Sequence, residues 1–306
     1  MTTALRSRGP DGNGFWSNDW VALGHRRLRI IDLTDAGAQP MVDSAGQVAL
    51  VFNGCIYNYQ ELRRELSAAY AFKSTSDTEV VLAAYQRWGE GFVDHLVGAF
   101  AIVLVDDRRE QLILARDRLG IKPLYLAQTR SGLRFASTLP ALLAGGGLDT
   151  AIDQVALHHY LQWHSIVPAP RTILRGVTKL PPATIRIVDR AGGVTERVYW
   201  QPDYVRNADR RQWSNQEWRD AVHRSLLTAV ERRLVADVPV GVLLSGGLDS
   251  SLIVALLREL GEDRVTTFSI GFDDAATMKG DEFSYSDLVA STFETDHHRL
   301  HVDTEA

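Results

Sequence analysis

The residues best able to do chemistry form one run, Ser245-Gly246-Gly247-Leu248-Asp249-Ser250-Ser251. It follows an apolar stretch, Val238 to Leu244, broken only by Pro239 and Gly241, and leads into a helix-compatible stretch, Leu252 to Leu260. Strand, glycine-rich turn and helix together present backbone N–H groups and a positive helix end to an anion. Two glycines let a phosphate approach the backbone closely, and three serines add hydroxyl donors. A nucleotide phosphate suits that arrangement. The Gly-Lys-Ser/Thr ending of a Walker loop is absent, and so is G-x-G-x-x-G. A serine-capped helix start behind a buried strand would explain the same run without a ligand.

A second set of groups is spread over four segments: Arg8-Gly9-Pro10-Asp11-Gly12, His25-Arg26-Arg27-Leu28, Asn53-Gly54-Cys55-Ile56-Tyr57-Asn58 and Ser76-Asp77-Thr78-Glu79. Singly, these read as a turn, a solvated loop, a strand end and a helix cap. Together they supply an arginine for a carboxylate, an acid for an ammonium, and an asparagine with backbone N–H groups for an oxyanion. Those are the groups needed to hold a free amino acid while its side-chain amide is attacked.

The elements that must position these groups can be read from periodicity. Short strands are expected at Trp20–Leu23, Leu28–Leu33 and Val48–Phe52, the last ending at Asn53-Gly54. Helical spacing covers Tyr59–Tyr70 and Thr78–Trp88, the second capped by Ser76-Asp77-Thr78-Glu79. Two hairpins follow, Ala99–Val105 with Gln111–Ala115 and Leu124–Ala127 with Leu133–Ala136. Then come a helix at Val155–Trp163 and a strand at Thr184–Val188. The polar stretch Pro202–Asn215 marks a boundary near Tyr204, giving domains 1–204 and 205–306. Beyond it, a helix at Glu217–Leu234, the loop's strand and helix, a strand at Val265–Ile270 and a helix at Ser284–Phe293 alternate as in a parallel α/β sheet.

Composition narrows the function classes. A formal net charge of −5 over 306 residues gives no reason to expect nucleic acid or an anionic membrane as partner. No apolar stretch approaches the ~18 residues of a membrane helix, and Met1 to Arg8 lacks the apolar core of a secretory signal. The single cysteine excludes an internal disulfide and fits a reducing cytosol, so a cytoplasmic protein is expected. His158-His159 and His297-His298 lack cysteine or acidic partners at zinc spacing and read as packing residues. Asp281 and Glu282 read as favourable charges before a helix.

SGGLDSS resembles the pyrophosphate-binding loop of the ATP pyrophosphatases. In order, RGPDG, GHRRLRIIDL, FNGCIYNYQELR, SDTEVVLAAY, LARDRLGIKPLY and LLSGGLDSS resemble the glutamine-dependent asparagine synthetase family over essentially the whole chain. The resemblance implies a class II glutamine amidotransferase domain of the N-terminal-nucleophile αββα type, joined to an incomplete parallel-sheet α/β synthetase domain. It implies glutamine, ATP, Mg2+ and a carboxylate acceptor as ligands, and allows a homodimer. Residue by residue, it makes Arg27 the partner of the glutamine α-carboxylate, Asn53 and Gly54 the oxyanion hole, and Asp77 the partner of the α-ammonium. It puts Leu244, Ser245, Gly246, Gly247, Leu248, Asp249, Ser250, Ser251 and Ile270 at ATP, with Asp249 near the metal.

Two departures qualify this. The family's nucleophile is a cysteine at the mature amino terminus, whereas this chain opens Met1-Thr2-Thr3-Ala4-Leu5 and enters the family pattern inside its first helix. The chain therefore reads as a fragment trimmed at both ends and inactive as a glutaminase, with Thr2 far from the oxyanion hole and no substitute. Cys55 stands where most members have a glutamate that helps hold the ammonium. It reads as a small, semi-buried residue of the glutamine pocket that leaves Asp77 to carry this contact, not as a replacement nucleophile. NGCIYNY, GAQPMVDS, LHHYLQWHSIVPAPRTIL and FSIGFDD with KGDEFSYSDL resemble one subgroup, the N-acetylglutaminylglutamine amidotransferases, whose product is an osmoprotectant amide. Aspartate is the alternative acceptor. A non-catalytic nucleotide- or amino-acid-binding protein is the alternative of another class.

Overall fold

A computed structural model of the chain describes residues 1–205, 210–272 and 283–302. Asp281, Glu282 and the first part of KGDEFSYSDL lie outside the described residues, as do residues 206–209 of the polar stretch. The chain divides into two units, Met1–Asp203 and Tyr204–Ala306.

In the first unit, apolar β-branched runs build a six-stranded antiparallel sheet. Before it come β1 (Gly12–Ser17) and β2 (Ala22–Arg27), an antiparallel pair with Gly12 opposite Arg27. β3 (Met41–Val42) and β4 (Val48–Ile56) follow, then helices α1 (Tyr59–Leu66), α2 (Asp77–Trp88) and α3 (Phe92–His95). β5 (Gly98–Asp106) and β6 (Gln111–Arg116) form a hairpin, as do β7 (Tyr125–Thr129) and β8 (Gly132–Ala136). Helices α4 (Leu139–Leu143) and α5 (Gln154–Gln162) precede β9 (Thr178–Lys179), β10 (Thr184–Asp189) and β11 (Val194–Val198). The large sheet runs β11-β10-β6-β5-β4-β3, and a smaller one runs β8-β7-β9.

Strand periodicity sends alternate side chains of the large sheet into two layers. Ala49 and Val51 of β4, Ala101, Val103 and Val105 of β5, and Leu112 and Leu114 of β6 pack with Leu23 of β2 and with Leu124, Leu126 and Leu180. On the other side α2 lies against β4, and its residues Asp77 to Tyr85 are all buried. Ser76 caps α2, its Oγ accepting from the Thr78 N–H at 3.1 Å. The RDRLGIKP segment is a built loop. The Asp117 carboxylate accepts the N–H groups of Phe100, Leu119, Ile121 and Lys122, and the Arg116 guanidinium donates to the carbonyls of Gly120, Lys122 and Leu180.

The strand expected at Trp20–Leu23 is shifted to Ala22–Arg27, held by its pairing with β1, and three further expected strands differ. Leu28–Leu33 is a loop, because β1 ends opposite Arg27 and offers no further partner, while the Arg27 guanidinium turns back onto the carbonyls beyond it. β4 continues through Asn53-Gly54 to Ile56 instead of ending there, since Asn53, Gly54 and Cys55 remain paired opposite Ala101, Phe100 and Ala99. The third difference lies in the second unit, where only Gly241–Leu243 of the Val238–Leu244 run is strand.

That unit holds α6 (Asn215–Glu231), β12 (Gly241–Leu243), α7 (Leu248–Glu259), β13 (Thr266–Phe272), α8 (Phe283–Thr292) and β14 (Asp296–Val302). A reciprocal Ser214/Glu217 capping box starts α6. The strands form a parallel sheet ordered β12-β13-β14. His297 and His298 thus sit in an edge strand absent from the periodicity reading. Among the described residues, no helix is long and apolar enough to cross a membrane.

Candidate functional site

A cavity of about 860 Å³ opens in the first unit, and Arg27, Asn53, Gly54, Cys55 and Asp77 all line it. Its construction starts with the edge of β4. Residues of β4 are buried from Val48 to Phe52, then Asn53 and Gly54 turn exposed before Ile56 is buried again. Opposite Gly54, the N–H and C=O of Phe100 are both bonded to Asp117 and so point away from β4. Gly54 is therefore a non-bonded ladder pair, and its own N–H lies on the other edge of the strand. Phe52 and Ile56 share that parity. The Phe52 N–H donates to Gln39 Oε1 at 2.6 Å, and the Ile56 N–H donates to Asp77 Oδ2 at 3.0 Å. Between these two satisfied donors, the Gly54 N–H is presented to the cavity.

Only glycine fits there. A Cβ on Gly54 would meet the Ala99 carbonyl oxygen at 2.1 Å and Phe100 Cα at 2.8 Å. Asn53 and Cys55 share the strand face of Ala49 and Val51 and reach the same cavity, with Cys55 half-buried.

Arg27, 7 % exposed, donates to the carbonyls of Thr34 (2.6 Å), Ile31 (3.3 Å) and Asp32. The Asp32 carboxylate holds that loop by accepting from the Thr34 and Thr75 N–H groups. Burial, and secondarily Arg29, lowers the Arg27 pKa from the ordinary arginine value. A carboxylate brought to this guanidinium would offset that cost.

Asp77 is the first residue of α2 and is buried. Burial pushes its carboxyl up to about 6, against the N–H bonds from Ile56 and Thr78 that favour the ionised form. An ammonium beside it would complete the charge that burial leaves uncompensated. His25, on β2 at the cavity wall, has its pKa lowered to about 4 by burial, with the Phe52 carbonyl opposing that shift and Arg27 adding to it. It is neutral at pH 7, and its Nδ1 has no hydrogen-bond partner among the described residues.

His25 lies within His25-Arg26-Arg27-Leu28 and Gln39 within GAQPMVDS, but neither is given a role in the site by the sequence reading. A side chain's bond to a distant backbone leaves no local pattern. Thr2 was expected to lie apart from Asn53 and Gly54. Met1, Thr2 and Leu5 line the same cavity, where the short 3-10 turn Thr2–Leu5 packs against α4 and β2.

In the second unit the serine-glycine run joins β12 to α7, and the helix begins at Leu248, inside the run. The Gly247 cap has no side chain, so the N–H groups of the first turn face outward. Ser245 Oγ lies 3.1 Å from Ser250 Oγ and accepts from the Gly247 N–H at 3.3 Å, while Ser250 and Ser251 donate to the Gly247 carbonyl. Gly246 has φ +77, and a Cβ there would lie 2.5 Å from the Ser286 nitrogen and from Tyr285. Leu244 is 1 % exposed, packed on Val254 and Ala290, so it can meet a base only through its backbone, whereas Ile270 is 47 % exposed.

Among the described residues, no group of three or more His, Cys, Asp or Glu side chains is placed to hold a metal ion. The exposed Asp249 carboxylate and the neighbouring serine hydroxyls are hard oxygen donors. They fit a magnesium ion that draws most of its ligands from phosphates and water.

Residues 1–200 match the family described as glutamine amidotransferase domain, and residues 221–306 match the one described as asparagine synthase. Glutamine-hydrolyzing asparagine synthetase 3 of Bacillus subtilis (strain 168) is 34% identical over 316 residues, covering 98% of this chain and 50% of that protein. Amidase chry2 of Gibberella zeae is 34% identical over 317 residues, covering 99% of this chain and 46% of that protein. Glutamine-hydrolyzing asparagine synthetase B of Escherichia coli (strain K12) is 33% identical over 315 residues, with 98% and 50% covered. The chain thus spans about half the length of the curated relatives it matches.

Proposed function

The chain belongs to the glutamine-hydrolysing asparagine synthetase family, and from that membership we propose that it is part of an ATP-dependent amidotransferase whose first unit holds L-glutamine. Glutamine and water give glutamate and ammonia. An acceptor carboxylate and ATP give an acyl-adenylate and pyrophosphate, and ammonia then displaces AMP to leave an amide.

In the glutamine cavity, Arg27 takes the α-carboxylate and Asp77 the α-ammonium. The Gly54 N–H and the Asn53 side chain take the amide oxygen, where negative charge develops on attack. Cys55 lines the pocket where a carboxylate would add a second charge, so Asp77 carries the ammonium contact. The observation that carries this reading is the Gly54 N–H on an open strand edge, set between two edge positions already satisfied by Gln39 and Asp77. We assign the nucleophile of glutamine hydrolysis to no residue of this chain, so binding is the direct readout. Calorimetric titration should show L-glutamine binding that Asp77→Asn weakens by about a hundredfold. A folded chain that binds no L-glutamine would overturn the reading.

In the second unit, Ser245 to Ser251 take the ATP phosphates, with Leu244 (through its backbone) and Ile270 at the adenine. Asp249 would hold Mg2+ with the phosphates. When bound, that ion neutralises phosphate charge and orients the pyrophosphate leaving group.

For the acceptor we propose N-acetylglutaminylglutamine, on the segments NGCIYNY, GAQPMVDS and LHHYLQWHSIVPAPRTIL. Aspartate fits the family membership equally well. Pyrophosphate release by the full-length protein separates the two: release dependent on the dipeptide is expected, and release with aspartate alone would replace it. A non-catalytic binder would release none with either.

A further inference from the structure

We propose that Gln39 is a positioning residue that fixes the Gly54 N–H on the amide oxygen of the bound amino acid; this rests on the glutamine reading of the cavity. Gln39 sits in the GAQPM segment just before β3 and is 9 % exposed. Its Oε1 accepts from the Phe52 N–H at 2.6 Å, and its Nε2 donates to Thr78 Oγ1 at 3.1 Å. Thr78 follows Asp77 at the start of α2, and Asp77 Oδ2 accepts from the Ile56 N–H. The three hydrogen bonds close a ring: β4 at Phe52, Gln39, the first turn of α2, and β4 again at Ile56. Gly54 stands at the middle of the strand segment that the ring spans.

The ring answers a specific mechanical problem. β3 pairs with β4 only at Leu50 and Ala49, so past Leu50 this edge of β4 has no neighbouring strand to fix it. A donor aimed at a developing oxyanion is effective only when held near its productive position in advance. Gln39 and Asp77 each replace one ladder hydrogen bond that a neighbouring strand would have supplied. His25 also faces the Phe52 carbonyl from β2. Asp77 faces the ligand ammonium as well. Gln39 also lines the cavity, but both polar ends of its amide are bonded to Phe52 and Thr78, so its effect on a ligand amide passes through the β4 backbone.

The probes are L-glutamine and L-norvaline, which share the α-amino and α-carboxylate groups while norvaline lacks the amide. Affinities for both are measured on the full chain and on Gln39→Met, which keeps length and bulk and removes both hydrogen bonds. L-Glutamine should weaken about tenfold, the equivalent of one well-aimed hydrogen bond, with L-norvaline unchanged within about twofold. Thr78→Val, which cuts the far end of the bridge with little change in volume, should give a smaller loss with the same selectivity. It carries the test if Gln39→Met does not fold. Equal weakening of both probes would reduce Gln39 to a packing residue and overturn the proposal, as would unchanged L-glutamine binding. Failure of the unaltered chain to bind either amino acid would instead strike the glutamine reading beneath it.

Discussion

The edge of β4 and the loop before α7 both aim backbone N–H groups at a ligand, and they are held in opposite ways. The β4 edge is fixed from a distance: Gln39 reaches it over 13 residues and Asp77 over 21, with Gln39 anchored in turn to Thr78, 39 residues on. The loop is tied to itself, its serine contacts spanning two to five residues. The first holds buried charges at a cavity, the second an exposed turn. The difference separates two ways to preorganise an anion site. A buried site needs tertiary partners for every polar group, whereas a turn at a helix start needs little beyond its own glycines and hydroxyls.

Substitutions that probe each region should reflect this difference. Gly54→Ala should have the largest effect. Its Cβ meets backbone at 2.1 Å, so β4 and β5 must separate; we expect a loss of about 3 kcal/mol or more in unfolding of the first unit, with L-glutamine binding abolished. Asp77→Asn should weaken L-glutamine by about a hundredfold, the loss expected on removing one charge of a buried pair.

Asp77 also gives the cavity a pH signature with two signs. Its folded-state pKa of about 6 lies above the ordinary carboxylate value, so the folded state takes up a proton between about pH 6 and 4 before the unfolded chain does. Stability should therefore rise as pH falls through this window, while L-glutamine affinity falls because the ammonium needs the ionised carboxylate. In Asp77→Asn both trends should vanish, as followed by thermal unfolding and titration at pH 4 to 8.

Gly246→Ala in the loop should cost less than Gly54→Ala, about 1–3 kcal/mol, from the φ of +77 and the contact with Tyr285 and Ser286. Ser251→Ala should change stability by about 0.5 kcal/mol or less, because its hydroxyl is solvent-exposed and bonds only within the loop. Were Gly246→Ala as destabilising as Gly54→Ala, the contrast between a tertiary and a local scaffold would fail.

The same contrast decides how much was legible in the sequence. Serine, glycine and aspartate at fixed short spacing announce the loop, because its serine hydrogen bonds are all local. The α2 cap is legible for the same reason: Ser76 and Thr78 are two residues apart. The hairpins at Asp106–Gln111 and Thr129–Gly132 follow from apolar runs flanking polar turns. Less is legible where a distant partner decides. Leu28–Leu33 has the composition of a strand but no strand to pair with, and its leucines and Ile30 stay exposed, with Leu28 and Ile30 on the cavity wall. Asn53-Gly54 has the composition of a turn, but β5 continues opposite it and keeps it extended. Gln39, whose two bonds join β4 to α2, carries no sign of this in its own segment.

The account stands on the Gly54 N–H being the donor to the ligand amide. The most direct measurement is the 15N–1H resonance of Gly54 in the assigned spectrum of the chain, titrated in parallel with L-glutamine and L-norvaline. L-Glutamine should move the Gly54 proton downfield while L-norvaline leaves it in place, with both ligands shifting resonances around Arg27 and Asp77. A Gly54 resonance that responds identically to the two ligands, or to neither while both bind, would contradict it.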